Sequence, residues 1–105
     1  MEGLELISFQ IISMVGTARS CYIEAIKASR IGRFEEAEKL LEEGAEAFSQ
    51  GHKSHMQLLQ KESQGERVQV NLLLMHAEDQ LMSAENFKIL AEEFIALNKM
   101  IYENR

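Results

Sequence analysis

The chain has 105 residues, 46% of them hydrophobic, and contains no proline. This length supports one domain with a single hydrophobic core, and the absence of proline suits long uninterrupted helices. The net charge of −6 argues against a nucleic-acid-binding protein, because binding to phosphate backbones needs clustered Lys and Arg.

The cysteine content and the first residues favour a cytoplasmic protein. A single cysteine, Cys21, excludes an intrachain disulfide, which is consistent with a reducing compartment. The opening residues are acidic where a secretory signal would be basic. No uninterrupted apolar run approaches the roughly 20 residues that span a bilayer. We therefore expect no direct membrane insertion.

The first helix is predicted over about residues 4–30. Arg30 lies in its last turn, and Gly32 supplies the stop. Cys21 falls on the apolar row, which indicates a buried structural thiol. The residues expected on this row are Leu4, Ile7, Ile11, Met14, Ala18, Cys21, Ala25 and Ala28.

The second helix is predicted over about residues 34–62. Gly44 and Gly51 lie seven residues apart on its apolar side, and because glycine is a poor helix former, we expect another helix to approach closely there. The glutamates between residues 35 and 46, here called the acidic face, are expected to be solvated. The expected buried row is Phe34, Ala37, Leu41, Gly44, Phe48, Gly51, His55 and Leu58.

The third helix is predicted over about residues 66–102, with Glu66 in its first turn. Its apolar residues occupy several sides, and a helix of that kind is normally buried on several sides. One row also contains two polar residues: Val68, Leu72, Met75, Asp79, Met82, Asn86 and Ile89.

A chain of this length covers only one side of such a helix with its own residues. We therefore predict an all-α fold, with residues 1–105 forming one domain of three long antiparallel helices, an up-down-up bundle. One flank of the third helix is expected to face other copies of the chain.

His52 and His55 are a first candidate for metal chemistry, because they lie three residues apart on the second helix. The ligand set is incomplete, since no Cys, Asp or Glu follows at a recognisable spacing. The paired Glu-x-x-His motifs of di-iron bundles are also missing. A packing role is the alternative for both residues.

His76 is the second candidate, because a neutral imidazole is a competent nucleophile toward phosphorus. Helical geometry places Asp79 and Gln80 on nearly its side of the helix. Glu78 lies about 200° away, where it is better placed to reach a neighbouring chain's His76. The residue types leave a structural and a functional role for His76 both open.

Asp79 shares the apolar row with Met75 and Met82, where a lone buried carboxylate would be costly. If the row faces a symmetry axis, copies of Asp79 converge, and either protonation or a shared cation is required. A salt bridge to a basic side chain of another helix is the alternative.

Taken together, these motifs resemble the enzyme IIA component of the lactose/cellobiose branch of the bacterial sugar phosphotransferase system. The specific segment is His-Ala-Glu-Asp-Gln-Leu-Met at residues 76–82 of the third helix. The resemblance covers nearly the whole chain, and its other segments are residues 6–13, 16–20, 34–38, 52–53 and 60–62.

The resemblance implies a phosphotransferase component assembled as a homotrimer, with the third helix at the inner interface. His76 matches the phosphoacceptor, which takes a phosphoryl group from phospho-HPr and passes it to a cysteine of enzyme IIB. Asp79 matches an aspartate that gathers around Mg²⁺, or another divalent cation, on the trimer axis. The sugar is a lactose-, cellobiose- or chitobiose-type disaccharide that never touches this component.

Two residues depart from the family's commoner motif, His-Ala-Gln-Asp-His-Leu-Met. Glu78 places a carboxylate where an amide would donate to the phosphoryl group, and Gln80 lacks the second imidazole. Both remain expected neighbours of the site, but the roles of the usual residues do not carry over. The acidic face would work against a phosphoryl group, so we expect it to point away from His76.

A non-catalytic helical adaptor is the alternative function. Residues 32–37 resemble the start of a tetratricopeptide repeat helix. Such arrays need about three stacked repeats of 34 residues, and no second copy follows Gly65.

Overall fold

The computed structural model describes residues 3–105, which form three helices: α1 (Gly3–Arg30), α2 (Phe34–Ser63) and α3 (Leu72–Glu103). They form an elongated bundle with extents of 57 × 23 × 20 Å. The end of α3 lies beside the end of α1, where Asn98 donates a hydrogen bond to Ser29. It also lies beside the start of α2, where Lys99 contacts Glu38. The three helices therefore run up, down and up, which confirms the predicted fold.

The turn between α1 and α2 follows from Gly32. Its φ of +79° lies in the left-handed region that favours glycine, and the amide of Arg33 donates to the carbonyl of Ala28 at 2.9 Å. A Cβ atom at this position would also lie 2.7 Å from Cε1 of Tyr102. The predicted helix stop at Gly32 is confirmed.

The core of α1 is wider than the predicted row. Ile7, Ile11, Ala18, Ala25 and Ala28 are buried as expected, but so are four residues outside that row: Ser8, Val15, Tyr22 and Ser29. The reason is that α1 packs against both other helices and therefore buries two adjacent stripes.

Cys21 was predicted to be buried, but it is only partly buried, so this prediction is wrong. It lies at the edge of the contact between α1 and α2. Desolvation and, to a lesser extent, the nearby charge of Glu43 raise the pKa of this thiol. Cys21 is therefore a weak nucleophile near neutral pH.

Both glycines of α2 lie where α1 approaches closely, as predicted. A Cβ atom on Gly44 would lie 2.5 Å from Cε1 of Tyr22, and one on Gly51 would lie 2.9 Å from Cγ1 of Val15. Tyr22 is the largest fully buried side chain, so Gly44 provides the space that its ring occupies.

The third helix begins at Leu72, and the prediction that it begins near Glu66 is wrong. Asn71 is its N-cap, with an extended backbone, and its side-chain Oδ1 accepts a hydrogen bond from the amide of Leu74 at 2.9 Å. Residues 66–71 are not helical. Two β-branched valines, Val68 and Val70, lie in this segment and disfavour helix formation.

α1 is long and apolar enough, by composition alone, to cross a membrane: an 18-residue window has a mean hydropathy of 1.2. The core helix of a soluble protein meets the same criterion. One third of this window is buried against the other two helices, which is consistent with a role in the core.

Candidate active site on the third helix

His76 lies in the second turn of α3, and its side chain is exposed. Ala77 and Leu81 are buried in the core and fix the orientation of the helix. With about 100° per residue, His76 then projects from the flank of α3 that faces α1, the same flank as Gln80.

Gln80 is held by a residue that the sequence analysis did not single out. Nη1 of Arg19, on α1, donates a hydrogen bond to Oε1 of Gln80 at 3.1 Å. The guanidinium group of Arg19 also lies over the ring of Phe87, with its carbon 5.1 Å from the ring centroid. The only sequence signal for Arg19 was its place in residues 16–20, one of the segments that carry the family resemblance.

Glu78 projects toward α2, from the opposite flank of α3 to His76. Its Oε1 lies 2.9 Å from Nε2 of His55. The contact is an ion pair when the imidazole is protonated, and a hydrogen bond from Nε2–H to the carboxylate when it is neutral. Glu78 therefore does not reach His76 of its own chain, as helical geometry predicted.

His52 and His55 do not converge on a shared metal site. The ring of His52 stacks on that of Phe48, with centroids 6.2 Å apart, whereas His55 is engaged by Glu78. Within residues 3–105, no three His, Cys, Asp or Glu side chains are close enough together to hold a metal ion. His55 is largely buried and paired, which agrees with a packing role, whereas His52 is exposed.

Asp79 is exposed in the single chain and forms no salt bridge with another residue in the part of the chain that the structure describes. It interrupts a set of exposed apolar residues on α3, here called the apolar stripe: Leu72, Met75, Met82, Ile89, Leu90, Phe94, Leu97, Met100 and Ile101. Met75 and Met82, which flank Asp79, are 58% and 60% exposed. A large number of exposed apolar side chains on one helix is typical of a protein interface.

The acidic face lies toward the other end of the bundle from His76. Glu38 contacts Lys99 near the end of α3, and His55 contacts Glu78 near its start. With a rise of about 1.5 Å per residue, even Glu46 lies roughly 13 Å along α2 from His55. This arrangement agrees with the prediction that the acidic face points away from the site.

The family described as "PTS system, Lactose/Cellobiose specific IIA subunit" matches residues 6–99 of this chain. The oligo-beta-mannoside-specific EIIA component of Bacillus subtilis is 45% identical over 90% of this chain and 86% of its own length. The lichenan-specific phosphotransferase enzyme IIA component of the same organism is 43% identical, over 99% of this chain and 94% of its own length.

A solved structure agrees with the sequence relatives. The PTS cellobiose-specific enzyme IIA from Bacillus anthracis superposes with a TM-score of 0.97 at 37% identity, covering 100% of this chain and 96% of that one. The three-helix bundle, with His76 exposed on α3, therefore matches a phosphocarrier fold and not a tetratricopeptide adaptor. The chain belongs to the lactose/cellobiose-specific IIA family of the sugar phosphotransferase system and is one of its phosphocarrier components.

Proposed function

We propose that His76 is the phosphoacceptor of this phosphocarrier. His76 is exposed and has no hydrogen-bond partner among residues 3–105, whereas His55 is partly buried and contacts Glu78. His52 is exposed as well, but its ring stacks on Phe48 and it lies outside the segment 76–82 that carries the family resemblance. A nucleophile that must meet two different partner proteins in turn has to lie on the surface. This requirement argues against His55, and the match of residues 76–82 to the family motif favours His76 over His52.

The donor is phospho-HPr and the acceptor is a cysteine of enzyme IIB. A ring nitrogen of neutral His76 attacks phosphorus, and a new N–P bond forms as the N–P bond to the donor histidine breaks and returns its electron pair to the donor ring. In the second transfer a cysteine thiolate attacks, an S–P bond forms, and the electron pair of the broken bond returns to His76. Positioning and charge compensation supply most of the catalysis in such transfers.

The cellular role that fits this chemistry is cytoplasmic, in the uptake of a disaccharide of the lactose, cellobiose or chitobiose type. The names of the relatives, which refer to oligo-beta-mannoside, lichenan and cellobiose, support an oligosaccharide substrate for the transport system. This chain itself carries the phosphoryl group and does not bind the sugar.

The decisive experiment is phosphorylation by phospho-HPr followed by mapping of the label. His76→Gln is expected to abolish acceptance of the phosphoryl group, while His52→Gln and His55→Gln retain it. Circular dichroism would establish that each variant is folded. Loss of acceptance in His52→Gln or His55→Gln, with full labelling of His76→Gln, would overturn the assignment.

The active form is proposed to be a homotrimer with the apolar stripe at its inner interface. Three copies of Asp79 would then meet at the trimer axis, between a layer of three Met75 side chains and a layer of three Met82 side chains. Their charges would repel. A single chain supplies only one carboxylate, so these residues fit a cation only in the assembly. There the Asp79 carboxylates would hold Mg²⁺ or another divalent cation, which would neutralise their charge.

The assembly is tested by sedimentation equilibrium with Met82→Lys, which places a charge in the stripe, and with Ile31→Lys as the control. Ile31 is similarly exposed, at 61%, but lies in the turn at the far end of the bundle. We expect the wild type and Ile31→Lys to be trimers and Met82→Lys to be a smaller species. Metal analysis of wild type and Asp79→Asn separately tests whether a cation is bound at Asp79. A wild-type trimer that contains no metal would show that the proposed cation is wrong.

A further inference from the structure

The contact between Arg19 and Gln80 determines which atoms Gln80 offers to its surroundings. A guanidinium group has only donors and no acceptor, so the Gln80 atom that lies 3.1 Å from Nη1 of Arg19 must be the amide oxygen. The group that is left for a further contact is the amide NH₂. An unrestrained surface glutamine presents either its oxygen or its nitrogen.

The amide NH₂ is close to the proposed phosphoacceptor. Residues four apart on a helix lie on the same side with Cβ atoms about 6 Å apart, and His76 and Gln80 have this spacing. Oxygens of a phosphoryl group on the His76 ring are acceptors and carry negative charge. A fixed NH₂ group would stabilise them, whereas an amide oxygen in its place would repel them.

Arg19 is itself held in place from the other side. It is partly buried in the groove between α1 and α3, its guanidinium group lies over the ring of Phe87, and its Nε is buried with no hydrogen-bond partner among residues 3–105. A lysine at this position would lack both the planar group that stacks on the ring and the directed N–H donors.

We infer that Arg19 is a positioning residue for phosphoryl transfer at His76: by binding the amide oxygen of Gln80, it directs the amide NH₂ toward the phosphoryl group. Gln80 donates a hydrogen bond and gives up no proton, and Arg19 does not touch the phosphoryl group. The inference rests on the proposed role of His76.

A double-mutant cycle tests whether Arg19 acts through Gln80. The rate of phosphoryl transfer from phospho-HPr is measured for wild type, Arg19→Met, Gln80→Leu and the double variant. Each single variant is expected to be about tenfold slower, the effect of one hydrogen bond to a charged group. If Arg19 acts through Gln80, the double variant is also about tenfold slower, and effects that multiply to about a hundredfold would overturn the inference.

Gln80→Glu provides a test that does not depend on folding of an Arg19 variant. The carboxylate still accepts the hydrogen bond from Arg19, but it replaces the NH₂ donor with a charged acceptor. We expect this variant to be folded and to transfer phosphoryl more slowly than Gln80→Leu. A Gln80→Glu rate equal to that of wild type would overturn the inference.

NMR supplies a readout that a merely structural role would not change. In wild type, the side-chain NH₂ resonances of Gln80 are expected to shift when His76 is phosphorylated, and this shift is expected to be lost in Arg19→Met. Arg33→Met is the matched control, because Arg33 is an exposed arginine at the other end of the bundle. Absence of the shift in wild type would overturn the inference.

These outcomes are distinguishable from failure of the proposed function. If wild-type protein is not labelled on His76, the phosphoacceptor assignment itself fails. If His76 is labelled and the Arg19 and Gln80 variants transfer at the wild-type rate, only the positioning role fails.

Discussion

Nε2 of His55 on α2 lies 2.9 Å from Oε1 of Glu78 on α3, and this contact joins the two helices on the flank of α3 opposite to the proposed phosphoacceptor. The His55 side chain is 16% exposed and that of Glu78 is 49% exposed, so solvent screens the pair. The contact holds the Glu78 carboxylate on the side of α3 that faces α2, away from His76.

Glu78→Gln is expected to leave phosphoryl acceptance by His76 within about threefold of wild type, because Glu78 projects from the opposite flank of α3. The free energy of unfolding should fall by less than about 1 kcal/mol, since a partly exposed pair contributes little. Urea unfolding and a phosphorylation assay measure the two quantities. A large loss of acceptance in the isolated chain would contradict the assigned geometry, whereas a loss confined to an oligomer would place Glu78 at a neighbour's site.

Gly44→Ala is expected to destabilise the fold by roughly 2–3 kcal/mol, because the new Cβ would lie 2.5 Å from the ring of Tyr22, which is fully buried and cannot move away. Gly16→Ala is the matched control. A Cβ atom on Gly16 meets nothing within 4 Å, so the better helix propensity of alanine should stabilise α1 by about 0.5–1 kcal/mol. Chemical denaturation should show a change in the free energy of unfolding of opposite sign for the two variants. An equal change in both would contradict the close approach of α1 and α2.

Tyr22 is expected to make the protein sensitive to alkaline pH. Desolvation, together with the charges of Cys21 and Glu92, raises the pKa of the phenol from 10.0 to about 12. The pKa is raised in the folded state, so the stability from neutral Tyr22 is complete below pH 10 and is lost as pH rises through about 12. The loss over this window should be on the order of 2 kcal/mol.

Tyr22→Phe isolates this contribution, since other groups also titrate at high pH. The hydroxyl of Tyr22 is buried without a hydrogen-bond partner in residues 3–105, so its removal should cost little at pH 7. Thermal melting between pH 8 and pH 12 is expected to show a shallower decline for Tyr22→Phe than for wild type. Parallel curves would show that Tyr22 does not cause the decline.

Asn71→Ala is expected to lower the free energy of unfolding by about 1 kcal/mol, because it removes the side-chain acceptor for the amide of Leu74 at the start of α3. Asn71→Asp should restore most of that stability, since aspartate caps a helix equally well. Hydrogen exchange at the amides of residues 72–75 would report the change locally. Unchanged protection in Asn71→Ala would mean that packing alone determines where α3 begins.

Three properties could be predicted from the amino-acid sequence: the three helices, the close approach at Gly44 and Gly51, and the opposite directions of His76 and Glu78 around α3. These properties depend on local spacing: a 3.6-residue period determines which residues share a side of a helix, wherever that helix is packed. The assignment of His76 as phosphoacceptor was also made from the sequence, through the resemblance of residues 76–82 to a known family.

The contacts between side chains of different helices could not be predicted from the sequence and required the packed structure. The pairs Arg19 with Gln80 and His55 with Glu78 are separated by 61 and 23 residues, and their contacts depend on how far each helix is shifted along its neighbours. That shift results from the packing of three buried surfaces at once, as does the burial of Tyr22. Periodicity within one helix carries no information about it, because every axial shift preserves the same period.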